Sequence, residues 1–333
     1  MTLTVIKTAS ANSPSEVINA FPDKIQEGQV LWVDVEDPAP QELSDLKARF
    51  SLDEYAIEDV IHMDQRPKIE DYKTNTFAVV HIPTIDGHQE RIVELFVFFA
   101  KNWFITIHSG KDEVVRSVDA RIRTRGLAPL SATPSADLLF YVFLDFAVDA
   151  YYPILDQIEN RIEEMDKSGI DSFKTRLRKF DGVVAVMARI GAVREKLMTL
   201  RRSLTPTRDA IGTIMRGSVP FVSDSSLRNF RDIYDHSFQL LETIDSYRDR
   251  TSDVRDLYIS LLTASTDNII KLLTVVATIF LPLTLLAGVY GTNFTAGFFQ
   301  PGSGQPFGFY AFISGLVIIA GFMLYSFKRS GWL

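Results

Sequence analysis

LLTVVATIFLPLTLLAGVYGTNF, Leu272 to Phe294, is the stretch on which the reading of this chain turns. Its first 19 residues, Leu272 to Tyr290, carry no charge. At 1.5 Å per residue a helix of that length reaches about 28 Å, which matches the roughly 30 Å hydrocarbon core of a bilayer. The stretch reads as a membrane span. A second uncharged run, FYAFISGLVIIAGFMLYSF (Phe309 to Phe327), follows a connection too short to hold a domain, so the two spans form a hairpin. Lys271 precedes the first span, Lys328 and Arg329 follow the second, and Phe294 to Tyr310 is uncharged. That asymmetry puts both ends of the hairpin in the cytoplasm and the loop outside. Tyr290, Phe294, Phe298 and Phe299 suit one interface, and Tyr325, Phe327 and Trp332 the other. Buried soluble helices can be equally apolar, but matched runs with this charge pattern argue for membrane.

The remainder is polar enough to be soluble. The 333 residues carry a net charge of -7, and only the last fifth is strongly apolar. The first residues, MTLTVIKTASANSPSEV, have no basic region and no long apolar region, so no signal peptide is expected and the soluble part is expected in the cytoplasm. Without cysteine there are no disulfides and no thiolate metal sites. The acidic balance argues against nucleic acid and favours cations as partners. His62, His81, His88, His108 and His236 form no ligand spacing, and no phosphate loop or nucleophile motif is present, so neither an enzyme nor an organic cofactor is expected.

Up to about residue 130, short runs rich in β-branched and aromatic residues read as strands: Leu3 to Ile6, Val30 to Val35, Phe77 to Ile82, Ile92 to Phe99 and Trp103 to Ile107. Arg66 and Pro67 open the third of these, since proline is tolerated at a strand start. Pro40 to Phe50 and Asp53 to His62 read as short helices, which makes residues 1–130 an α/β domain with a mixed sheet and helices on its faces. Residues 135–220 read as a helical pair, Ala136 to Asp166 and about Ser172 to Leu204, separated by a polar break at Lys167 to Asp171 and ended by Pro206.

A stalk helix begins near Ser223 to Ser226, spans residues 223–271, and has no stop before Gly291. Ile233, Ser237, Leu240, Ile244, Tyr247, Thr251, Val254, Tyr258, Leu261 and Ser265 alternate at steps of four and three, a seam of period 3.5 for packing along a neighbour. Asp235, Glu242, Asp249 and Asp256 make a parallel acidic stripe. Such a stalk passes movement mechanically into the first span (272–293), which is followed by the external loop (294–308), the second span (309–327) and a basic tail (328–333).

These residues resemble the CorA family of divalent-cation channels of bacteria. That family carries Gly-Met-Asn after the first of two C-terminal spans, usually as YGMNF; here the stretch is Tyr290-Gly291-Thr292-Asn293-Phe294. ATIFLPLTLLAG (Ala277 to Gly288) is similar to its pore helix, and so are FRDIYDHS (Phe230 to Ser237), EDVIHMDQRPKIE (Glu58 to Glu70) and the ending with Lys328, Arg329, Trp332 and Leu333 to the matching parts of the family. The resemblance implies a homopentameric funnel in the bacterial inner (plasma) membrane, contacting membrane lipid, with its termini cytoplasmic. First spans line the pore and second spans surround them. The ions implied are Mg²⁺, Co²⁺ and Ni²⁺.

Mg²⁺ gives up its waters reluctantly, so a filter for it presents neutral oxygens to the hydrated ion. A fivefold ring of Asn293 amides beside the Gly291 carbonyl meets that need; the bland alternative is that Gly291 and Asn293 only terminate a helix. Thr292 departs from the usual Met and leaves selectivity open. Below the filter, Gly288, Thr284, Leu281, Ala277, Thr274, Leu273 and Ile270 share a face, the threonines as hydroxyl rings and Leu281, Leu273 and Ile270 as apolar gates. Packing against other helices is the alternative. Pro282 removes a backbone bond and is expected to bend the helix, and Asp267 is a candidate for an acidic exit ring, with a solvated helix turn as the alternative.

By the resemblance, Asp86 and Asp232 fall where the family binds intracellular Mg²⁺ between subunits, so that bound ion holds the closed ring; taken alone, Asp86 in Ile85-Asp86-Gly87 reads as a turn residue. Two other readings stay open: a ZntB-like Zn²⁺ transporter, and a membrane-tethered cation sensor or scaffold without flux.

Overall fold

The computed structural model describes residues 1–6, 15–86, 89–110, 113–125, 127, 134–174, 180–291 and 307–332. Its strands are β1 (Thr2–Ile6), β2 (Ser15–Ile18), β3 (Val30–Glu36), β4 (Lys68–Asp71), β5 (Thr76–Asp86), β6 (Gln89–Phe99) and β7 (Trp103–His108). Its helices are α1 (Pro40–Phe50), α2 (Glu54–His62), α3 (Glu113–Arg125), α4 (Ala136–Asp149), α5 (Tyr151–Lys174), α6 (Phe180–Met215), α7 (Leu227–Gly291) and α8 (Phe307–Arg329). Two compact units divide the chain, Met1–Lys167 with Val186–Val254, and Ser168–Ala185 with Arg255–Leu333.

The sheet runs β2-β1-β3-β7-β6-β5-β4. It is mixed, as expected, because β3 and β7 pair parallel and the other neighbours antiparallel. Its central strands are apolar on consecutive residues because both faces are covered. Val33, Val35, Phe96, Phe98, Ile105 and Ile107 join Leu43, Leu46, Ile57 and Val60 of α1 and α2 in one core. On the other face Trp32 meets Phe143 at 5.5 Å, Phe104 meets Phe143 at 5.3 Å and Phe99 meets Phe140 at 4.9 Å, so α4 closes that side. The helix starts are chemically marked. Pro40 opens α1 while Glu42 accepts from the Ala39 N–H at 3.0 Å, and Asp53 accepts from the Tyr55 N–H at 2.9 Å to start α2.

Several expectations are corrected. Pro67 precedes a separate short strand, β4, and the third apolar run starts at Thr76. The first long helix is two, α4 and α5, broken at Ala150, and α5 continues to Lys174 through the expected polar break. Pro206 lies inside α6, which runs on to Met215. Tertiary packing carries α6 past it, because Leu204, Ile211 and Ile214 are buried on either side.

Among the described residues three helices are long and apolar enough to cross a membrane, and burial separates them. The window in Ala136–Ser168 is 67% buried, that in Leu227–Gly291 11%, and that in Tyr310–Arg329 none. The first is a core helix. The other two keep an apolar surface outward, as spans in lipid do.

Candidate ion pathway

α7 carries two surfaces. Toward its start, Ile233, Ser237, Leu240, Ile244, Thr251 and Val254 of the 3.5-period seam are buried, while Asp235, Glu242 and Asp249 stay exposed. Residues flanking the seam fasten the same helix to its neighbours: Phe230 meets Phe140 at 6.0 Å, Arg250 pairs with Glu159 at 3.4 Å, and Asp245 accepts from Arg201 at 3.1 Å. The helix start is held by Asp137 of α4, 3% exposed, whose Oδ2 accepts from the Ser223 N–H and hydroxyl at 2.9 and 2.8 Å. Arg248 lies 3.3 Å from Asp249, and Arg255 3.0 Å from Asp256, so the acidic stripe is partly neutralised by its preceding residues.

Toward the end of α7 the pattern reverses. Ile270, Leu273, Thr274, Ala277, Leu281, Thr284 and Gly288 are all exposed, with Leu273 at 67% and Leu281 at 71%, whereas Val275 and Ile279 on the opposite side are buried. A helical face of seven residues thus has no covering among the described residues. Thr274 donates to the Ile270 carbonyl at 2.8 Å and Thr284 to the Phe280 carbonyl at 2.7 Å. With each O–H used inside the helix, the hydroxyl oxygens keep lone pairs free on the exposed face, which suits a cation or its water. Pro282 lies inside α7 without ending it and leaves the Thr278 carbonyl without its usual partner. Near the end of the helix, Tyr290 stacks on Phe312 of α8 at 4.0 Å and 7°.

Gly291 is the last residue of α7 and does not adopt positive φ, so it is not itself a left-handed cap. A Cβ added at Gly288 or Gly291 meets nothing within 4 Å, so nothing among the described residues requires glycine there. Thr292 and Asn293 lie outside the described residues, as does the loop up to Pro306. Asp267 is exposed on α7.

The family model of CorA-like Mg²⁺ transporter proteins matches residues 27–329. The chain belongs to this family. A cobalt/magnesium transport protein CorA of Thermotoga maritima is 28% identical over 287 residues, 85% of this chain and 78% of that one. The CorA magnesium transporter structure from Methanocaldococcus jannaschii superposes with a TM-score of 0.84 at 23% identity, covering 100% of this chain and 99% of that one, which establishes the shared fold. A zinc transport protein ZntB of Pectobacterium carotovorum is 34% identical over 144 residues, 43% of each chain.

Of the two regulatory acids expected from the CorA resemblance, Asp232 is exposed on α7, 3.9 Å from His236. Asp86 ends β5 opposite Gln89, and its side chain lies outside those described. Sequence reading missed two neighbours of Asp232. Asp145 and Asp149 of α4 carry carboxyls pushed up by burial; for Asp145 the adjacent Asp149 adds to the push and Arg121, 3.7 Å away, opposes it. The signal was visible, two acids four residues apart in the apolar DLLFYVFLDFAVD of α4. Among the described residues no three His, Asp or Glu converge to hold a metal within one chain.

Proposed function

We propose that the chain is a divalent-cation channel whose pore is lined by α7 from five copies. The observation that carries this reading is the bare face from Ile270 to Gly288, on which two threonine oxygens alternate with apolar side chains. A hairpin of two spans cannot enclose a pore, and an apolar face punctuated by hydroxyls is better satisfied around water and its own copies than by lipid. Gly291, Thr292 and Asn293 form the selectivity filter at the outer mouth, Leu281, Leu273 and Ile270 the apolar constrictions, and Asp267 the exit ring. Mg²⁺, followed by Co²⁺ and Ni²⁺, moves inward across the inner membrane. Intracellular Mg²⁺ between Asp86 of one subunit and Asp232 of the next holds the closed state, with Asp145 and Asp149 adding to the negative field that attracts it.

The partial identity to ZntB proteins favours a second reading, Zn²⁺ transport. Uptake into liposomes containing the purified chain separates the two when Mg²⁺, Co²⁺, Ni²⁺ and Zn²⁺ are compared for the native protein and Asn293→Ala. Mg²⁺ or Co²⁺ flux abolished in the variant is the expected result. Zn²⁺ flux alone moves the chain to the second reading, and no flux for any ion leaves a cation sensor or scaffold.

A further inference from the structure

A cavity of about 880 Å³ opens within the first unit, between the α2–β4 loop, strands β5 and β6, and α6. Its volume falls in the range of small-molecule sites, roughly 300–1,000 Å³. Ion conduction along α7 makes no use of it.

Its walls are built to hold shape. Met63 (φ 49°) and Asp64 (φ 59°) are successive non-glycine residues at positive φ, a costly conformation that persists only where the surroundings enforce it. The enforcing contact follows at once: the Gln65 carbonyl is 2.7 Å from His81 Nε2. A carbonyl only accepts, so Nε2 carries the proton and Nδ1, 3.1 Å from Ser203 Oγ, accepts from that hydroxyl. Ser203 in turn accepts from the fully buried Tyr151 at 2.8 Å. This relay ties loop, strand, α5 and α6 together behind the cavity. In α6, Pro206 deprives the Arg202 carbonyl of its helical partner beside the same opening.

The lining is chemically unfinished. Arg66 and Arg202 are exposed at the cavity and have no anionic partner among the described residues, whereas Arg201 is tied to Asp245 at 3.1 Å. Glu94 also lines the cavity, its side chain 17% exposed, its Oε1 3.7 Å from His81 Nε2 and its buried Oε2 without a hydrogen-bond donor. Two unpaired guanidiniums match the oxygens of a phosphate, and a carboxylate lacking a donor matches a hydroxyl.

We propose that this cavity binds a small hydroxylated phosphate monoester, its phosphate between Arg66 and Arg202 and a hydroxyl donating to Glu94.

Titration calorimetry on the full chain in detergent tests this with ribose 5-phosphate, inorganic phosphate and ribose as probes. The expected result is saturable binding of ribose 5-phosphate, about tenfold weaker binding of inorganic phosphate, which lacks the donor to Glu94, and none of ribose. Arg66→Ala combined with Arg202→Ala removes two exposed side chains and is expected to melt like the native protein while losing ribose 5-phosphate binding. No saturable binding of the sugar phosphate overturns the proposal. So does equal affinity for inorganic phosphate, and so does unchanged affinity in the double variant.

Discussion

Asp137 shows how much one side chain holds in place. Its carboxylate accepts from the Ser223 N–H and hydroxyl, from the Leu138 N–H at 3.0 Å and from the Ser135 hydroxyl, at a point where almost no water reaches. Asp137→Ala removes the acceptor these groups share, of which the Leu138 N–H belongs to a buried residue and Ser223 to an exposed one, and is expected to cost about 2 kcal/mol, read as a lowered urea midpoint. Thr284 belongs to the proposed pore. Thr284→Val keeps the shape and removes the oxygen, so cation flux into liposomes is expected to fall, whereas Thr284→Ser retains the back-bonded hydroxyl and restores it. A flux equal in the valine and serine variants would show that Thr284 only packs.

Elements carry the next scale of argument, and α4 is the most instructive. Its Asp145 holds its proton more tightly in the folded chain than in the unfolded one, through burial first and Asp149 second. Between the ordinary carboxylate range near pH 4 and the raised value, the folded state therefore binds more protons. Stability falls as pH rises through that window and stays lower above it. Asp145→Asn is expected to unfold at higher urea than the native chain at pH 7, with the difference vanishing near pH 4, since Arg121, 31% exposed and 3.7 Å away, loses little with its partner. Strands β3, β5, β6 and β7 were legible as runs because a two-sided core demands apolar residues in succession. β2 was not: it is a four-residue edge strand, SEVI, with its middle pair exposed. α3 was passed over because, among its described side chains, only Val115, Val118 and Ile122 are buried in a strongly charged sequence.

The whole molecule adds what one chain lacks. The exposed face of α7 predicts copies meeting along it, and the absence of cysteine makes single-cysteine variants clean probes. Leu281→Cys is expected to give disulfide-linked dimers under mild oxidation in the membrane, while Ile279→Cys, on the buried side, is expected to stay monomeric on non-reducing gels. Cross-links at Ile279 alone would place the interface on the other face.

The two spans, their hairpin, the central strands and the seam of α7 were determined by sequence alone, because charge, run length and period are written in neighbouring residues. Only the tertiary structure decided that apolar α4 is core, that α6 runs through Pro206, and that Asp145 and Asp149 stand near Asp232. Each of these depends on which surfaces meet across scores of residues, and burial then sets whether an apolar helix faces protein or lipid, whether a proline is tolerated, and which carboxyls crowd one another.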